Sequence, residues 1–177
     1  MSHINQPIAR HDAALDETDP VAGEKTRTKN GASIDPVATA EGVTREIVGE
    51  LLRRIGEGDH DKVAELFAER IDWQLNWLAE GHPAVPWIRP RSGRADIGQH
   101  FRLLDAHHVP ELNGTSVTRI LVDGDHAVVL GHIAQTVKAG GRSYSSAFAL
   151  HLTVEDGLIT RYHIYEDSLS VAEALKG

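Results

Sequence analysis

The stretch from Arg142 to Leu175 constrains the fold more than any other part of the chain. Arg142–Val154 (RSYSSAFALHLTV) is rich in aromatic, β-branched and aliphatic residues and reads as a strand. Asp156-Gly157 follows, a dipeptide that supplies the two positive-φ positions of a type I′ turn. Leu158–Asp167 (LITRYHIYED) returns as the antiparallel partner, and Ser168-Leu169-Ser170 leads into a short helix, VAEALK. A two-residue turn pairs Glu155 with Leu158. Continued along the strands, it sets Leu152 opposite Arg161, Leu150 opposite His163, Phe148 opposite Tyr165 and Ser146 opposite Asp167. Side chains alternate across a strand, so these pairs share one sheet face. That face is apolar along one strand and carries Arg, His, Tyr and Asp along the other, a mixture that suits a ligand pocket better than a dry core.

The preceding segments extend the meander. Ser116–Val122 and His126–Lys138 flank Asp123-Gly124, and Gly140-Gly141 makes the next turn. If that turn also has two residues, Ile133 pairs with Phe148 and Gln135 with Ser146. Gln135, Ser146 and Asp167 then form a polar row beside an apolar row of Ile133, Phe148 and Tyr165. A carboxylate in such a half-apolar setting has its pKa raised by desolvation, which suits general acid/base work near neutral pH. Asp167 is the candidate, with His163 and Tyr165 on the same face as supporting groups. A slip of one residue would put Glu166 in its place and flip the whole face. Asp167 also has a structural reading, as the N-cap of the helix that follows.

Helices come earlier. Asp35-Pro36 is a helix-start signal, and Val43, Ile47, Leu51 and Ile55 recur at helical spacing until Gly56 and Gly58 end the run. Asp59 is placed to cap a second helix with Val63, Leu66 and Phe67 inward, and Ile71–Trp77 (IDWQLNW) reads as a strand. Gly81 to Gly93 holds three prolines and no periodicity, and reads as a loop. A third helix follows with Ile97, Phe101 and Leu104 on one face, ending near His107 and His108, where positive charge would suit the helix dipole. Residues 1–34 are polar, lack aromatics and show no period; they read as a disordered tail ahead of one domain at 35–177. Helices first and an antiparallel meander after is the α+β pattern.

With 177 residues the domain is large enough to bury a core unaided. The absence of cysteine excludes thiolate catalysis and cysteine-ligated zinc, and fits a cytoplasmic protein. A net charge of −8 without a basic stripe argues against a nucleic-acid partner, and no apolar run is long enough to span a membrane. The 11 histidines are scattered without metal-ligand spacing, so neither a metal nor another cofactor is expected.

Three segments carry a family resemblance: EGDHDKVAELFAE, the VPW loop with the following GRADIGQHF, and DGLITRYHIYEDSL. In their order and spacing they resemble the nuclear transport factor 2-like superfamily, in its SnoaL-like and ketosteroid-isomerase-like branch, over roughly residues 43–175. The resemblance implies a cone-shaped barrel, a curved, mostly antiparallel sheet wrapped around three N-terminal helices. It also implies a hydrophobic small-molecule ligand and a homodimer packed sheet against sheet. The family does not fix function. The steroid-isomerase base would fall near Leu75, between Gln74 and Asn76, and Arg142–Val154 offers no acid for an oxyanion hole. Arg142-Ser143-Tyr144 does not match the Arg-x-Asp pair of the epoxide hydrolases, and none of the expected strands carries one. The SnoaL-like cyclases need one acid at the end of the last strand, which Asp167 resembles. The resulting expectation is a small-molecule-binding protein: an isomerase- or cyclase-type enzyme moving a proton on a hydrophobic carbonyl compound, a binding module without chemistry, or, third, a dehydratase (lyase) or hydrolase using the same acid with a bound water. Trp73 and Trp87 are expected as pocket walls, Trp87 as a flap from the proline-rich loop; an exposed loop tryptophan is the plainer alternative for it. Arg89, Arg91 and Arg94 read as a solvated cluster that could meet an anionic ligand.

Overall fold

The structure, a computed structural model, describes residues 36–75, 77 and 85–175. The tail at 1–34, the capping position Asp35 and part of the proline-rich loop lie outside the described residues. The elements are α1 (Pro36–Glu57), α2 (His60–Glu65), β1 (Phe67–Leu75), α3 (Arg94–His107), a 3₁₀ turn (Pro110–Leu112), β2 (Ser116–Asp123), β3 (His126–Thr136), β4 (Ser143–Glu155), β5 (Leu158–Glu166) and α4 (Ser168–Leu175). The strands form one curled, unclosed sheet in the order β1-β5-β4-β3-β2, with β1 parallel to β5 and every other pair antiparallel. This is the α+β cone expected from the order of helices and strands.

The helices pack into the concave side of the sheet. Val48 and Leu51 of α1, Val63 of α2, and Ile97 and Phe101 of α3 meet Val129, Leu150, Leu152, Ile159 and Tyr162 in one core cluster. Each large apolar side chain buried there contributes roughly 1.5–3 kcal/mol. The α1 stripe holds at Leu51, with Ile47 and Ile55 packed against the core, and departs from its expected place only at its start. Val43 is 40% exposed, whereas Thr44 is buried and donates from Oγ1 to the Gly124 carbonyl at 3.0 Å, tying the helix to the β2–β3 turn. Strand β1 begins at Phe67, four residues before the expected strand, because Asp59 caps a helix of only 6 residues; it therefore does carry an Arg-x-Asp pair, Arg70 and Asp72, with both side chains exposed. A second cluster joins Val85, Trp87 and Ile88 of the proline-rich loop to Val137, Tyr144, Val171 and Ala174, so loop and α4 together cover one end of the cone.

Two strand registers differ from the expected ones. Asp156 (φ 51°) and Gly157 (φ 75°) make the two-residue turn, and Glu155↔Leu158 and Val154↔Ile159 pair as expected. Beyond them β5 carries one extra residue, Thr160, so Thr153 pairs with Arg161 and Phe148 with Glu166. A bulge of one residue exchanges the faces of everything after it. Tyr162, Ile164 and Glu166 therefore turn into the cone, while Arg161, His163, Tyr165 and Asp167 do not. His151 also shares the outer face with His163, their ring centroids 6.3 Å apart, where the expected register had separated them. At the β3–β4 connection Val137 N–H bonds to the Arg142 carbonyl at 2.8 Å, so four residues rather than two lie in the turn. Ile133 thus pairs with Ser146 and Gln135 with Tyr144. A shift of two leaves every side chain on its expected face.

Candidate functional site

Between α1, α3 and the concave sheet lies a cavity of about 160 Å³, walled mainly by Leu52, Ile55, Phe101, Leu104, Ile133, Phe148, Leu150 and Ile164. This is close to the ~150 Å³ apolar cavity that takes up benzene, which sets the scale at one or two small rings. Polar atoms enter it from Glu166 on β5, Tyr144 on β4, Gln135 on β3, Tyr162 on β5 and His100 on α3.

Glu166 is the one carboxylate among the described residues that line the cavity. Its place at the end of β5 follows from the bulge, which aims it inward opposite Phe148. Desolvation by the surrounding apolar wall pushes its pKa above the ordinary carboxylate range. Trp77 Nε1 donates to Oε1 at 3.0 Å and offsets part of that rise, while the neighbouring charge of Asp167 adds to it.

A second polar group stands on the adjacent strands. Tyr144 Oη lies 3.0 Å from His108 Nε2 and 2.6 Å from Gln135 Oε1. The end of β3 is strapped to the end of α3 through Lys138 N–H to the His107 carbonyl and Val109 N–H to the Thr136 carbonyl, each 2.9 Å. That strap brings His108 to Tyr144. Burial holds His108 below its ordinary pKa and Tyr144 above its own, so both are neutral near pH 7. The expected cation at the end of α3 is therefore absent at His108, which is buried under the Trp87 ring at 4.7 Å. The Glu166 charge also raises Tyr144, which places the two groups within electrostatic reach across the cavity. His100, fully enclosed, is held down at about 3 and stays neutral.

Of the residues singled out in the sequence, Trp87, Ile133, Gln135 and Phe148 line this cavity. Trp87 is 3% exposed, so it is wall rather than an exposed loop residue. Trp73 stands behind the wall, stacked on Tyr162 at 4.3 Å and 5° between planes. Ser146 is buried, and its Oγ accepts the Asp167 N–H at 2.8 Å and donates to the Ala147 carbonyl. The three residues expected as catalytic are elsewhere. Tyr165 is 46% exposed on the outer face. His163 Nε2 lies on the outer face, 2.9 Å from Asp72 Oδ1. Asp167 caps α4: Oδ1 accepts from Leu169 N–H and Ser170 N–H at 3.2 Å each, and Oδ2 from Ser170 Oγ at 2.6 Å. The Ser170 hydroxyl and amide hold its carboxyl below the usual range, opposite to what an acid/base at pH 7 needs. Asp167→Ala is accordingly expected to lower the melting temperature by about 2–4 °C and to leave ligand binding in the cavity unchanged, as thermal denaturation and calorimetric titration would read.

The arginine cluster is also less solvated than expected. Arg91 is buried and donates to the Asp96 and Trp87 carbonyls, and Arg94 donates from Nε to the Phe67 carbonyl and pairs with Glu69 at 3.0 Å. Arg91 fastens the proline-rich loop to α3, and Arg94 fastens the start of α3 to β1. Among the described residues no group of three or more His, Asp or Glu side chains is arranged to hold a metal ion. No described helix is long and apolar enough to cross a membrane.

A family profile described as a SnoaL-like domain matches residues 48–162. Solved structures share the fold at low identity. An NTF2-like protein from Burkholderia xenovorans LB400 is 20% identical, with 77% of this chain and 98% of that chain covered and a TM-score of 0.64. An NTF2-like protein of unknown function from Burkholderia pseudomallei K96243 is 17% identical, covering 76% and 98%, with a TM-score of 0.65. A candidate polyketide cyclase from Xanthomonas campestris pv. campestris is 17% identical, covering 77% and 99%, with a TM-score of 0.59. No curated protein matches the chain.

Proposed function

Because the chain belongs to the SnoaL-like domain family, we propose that it binds a small hydrophobic carbonyl compound and moves a proton on it, in an isomerase- or cyclase-type reaction with Glu166 as the acid/base. The observation that carries this reading is a carboxyl of raised pKa, the one carboxylate among the described residues lining a mainly apolar cavity. In the ionised form Glu166 would take a proton from a carbon next to the carbonyl, and the acid so formed would return it at another position. The apolar wall excludes water that would otherwise stabilise the carboxylate and weaken it as a base. This role passes from Asp167 to Glu166, since the Asp167 carboxyl is engaged at the α4 cap. Likeness to a candidate polyketide cyclase is compatible with this chemistry. The test is a thermal-shift screen of the full chain against mono- and bicyclic ketones, followed by mass spectrometry of each stabilising ketone after incubation in D₂O. Enzyme-dependent deuterium at the carbon next to the carbonyl is the expected result. Stabilisation without exchange for every hit would replace this reading with a non-catalytic binding module.

The outer sheet face supports a second copy of the chain as partner. Leu121 is 50% and Tyr165 46% exposed there, beside half-buried Val128, Leu130 and Ala149. The centre of this patch is apolar, with Asp123 and Asp167 at its margins, two residues from Leu121 and Tyr165. Leu121→Asp is expected to convert a dimer to monomer in light scattering. A wild-type monomer at tens of micromolar would remove the proposal.

A further inference from the structure

The polar groups that β3 and β4 bring to the cavity fix the hydrogen-bonding sense of its ligand, through a count of protons. The Leu104 carbonyl lies 2.8 Å from His108 Nδ1 and can only accept, so Nδ1 carries a proton. His108 is buried and neutral, so its Nε2 has a lone pair and no proton. Tyr144 Oη, 3.0 Å away, must then donate its single proton to Nε2. The Tyr144 oxygen has only lone pairs left for Gln135, whose terminal atom lies 2.6 Å from it. Two acceptors at that distance repel. The two ends of a carboxamide are nearly isosteric, and a half-turn of the amide sets Nε2–H against Tyr144. Gln135 then donates to Tyr144 with one N–H and keeps its carbonyl oxygen for the cavity that it lines.

We infer that Gln135, locked by the Leu104–His108–Tyr144 chain, is a specificity-determining acceptor, and that the ligand carries a hydroxyl or N–H donor in addition to its reacting carbonyl. The inference rests on the reading that the cavity holds a small carbonyl compound. It adds the second functional group that such a compound must have. A ligand with only an acceptor there would face the Gln135 oxygen with no proton between them, leaving two desolvated acceptors unpaired. Tyr144 acts as a positioning residue through its bond to Gln135, and His108 acts one step further back, through Tyr144.

The experiment compares 6-hydroxy-1-tetralone with 6-methoxy-1-tetralone, two bicyclic ketones that differ by one methyl group on the 6-oxygen, by calorimetric titration of the full chain; the Gln135 variant separates loss of the donor from the added bulk. The hydroxy compound is expected to bind about ten-fold more tightly. Gln135→Leu and Tyr144→Phe should each reduce that ratio to within about two-fold, the first by removing the acceptor and the second by freeing the amide to turn. Equal affinity, tighter binding of the methoxy compound, or no binding of either compound would overturn the inference. Deuterium exchange at the carbon next to the tetralone carbonyl is read separately. Exchange without hydroxyl preference leaves the Glu166 reading standing and removes this one, and preference without exchange does the reverse.

Discussion

Glu166→Gln is expected to lower the rate of enzyme-dependent deuterium exchange by 10²–10⁴-fold, the range a single general acid/base contributes, with ketone binding within a few-fold of wild type. Gln keeps the shape of the side chain and can still accept from Trp77 Nε1, now 3.0 Å from Glu166 Oε1, but it cannot take up a proton. The same substitution should change stability in a pH-dependent way. Burial raises the folded-state pKa of Glu166 above its unfolded value, so the folded chain holds this proton more tightly. The wild type is then most stable, as far as this group is concerned, below the unfolded pKa. It loses that stability as pH rises through the folded pKa. Gln does not ionise, and the variant should equal the wild type at acid pH and melt higher at pH 8. A variant that loses stability at pH 8, or one that retains exchange, would show that Glu166 is not the strained acid described above.

Gly131→Ala is expected to be the most damaging single-methyl addition in the sheet. A Cβ at this position would lie 2.1 Å from the Ser116 carbonyl oxygen and 2.7 and 2.9 Å from the Phe148 ring. The backbone oxygen cannot move without undoing the β2–β3 pairing beside the irregularity at Val117/Arg119. Overpacking of this kind costs about 3 kcal/mol, or roughly 6–12 °C in melting temperature for a chain of this size. Phe148→Leu in the same chain relieves the ring but not the carbonyl, so it should restore only part of the loss. A Gly131→Ala protein that melts within 2 °C of wild type, on a scale where ~1 kcal/mol moves Tm by about 2–4 °C, would mean that the strand pair can separate there at little cost.

Much of this architecture is legible in the residues. Asp59 and Asp156-Gly157 act where their chemistry says they should, and Ile97, Phe101 and Leu104 set the inner face of α3. The cavity face of β3 and β4 is also legible, since a register error of two residues leaves the alternation intact. The face of β5 is not recovered by counting from the turn, because one bulged residue reverses it. A signal was present nonetheless. Ile159 is apolar and so are Tyr162 and Ile164, yet strict alternation cannot put all three on one face. A strand with one buried side resolves this by adding a residue between them. Gly131 within a strand likewise marks a close approach that composition alone does not locate. His108 and Tyr144 are separated by 36 positions, and only the strap between α3 and β3 makes them neighbours. No local pattern announces such a pair.

The Thr160 bulge bears on how chains of this fold are compared with one another. Two such proteins can share a turn, a strand length and adjacent acidic residues at the strand end, and still differ by the presence of one bulged residue. A sequence alignment through that strand would set an inward carboxylate in one protein against an outward, helix-capping carboxylate in the other, and it would score well. Transfer of catalytic roles along β5 therefore has to follow the pleat of the strand, residue by residue from the nearest buried apolar side chain, and not the spacing from the hairpin.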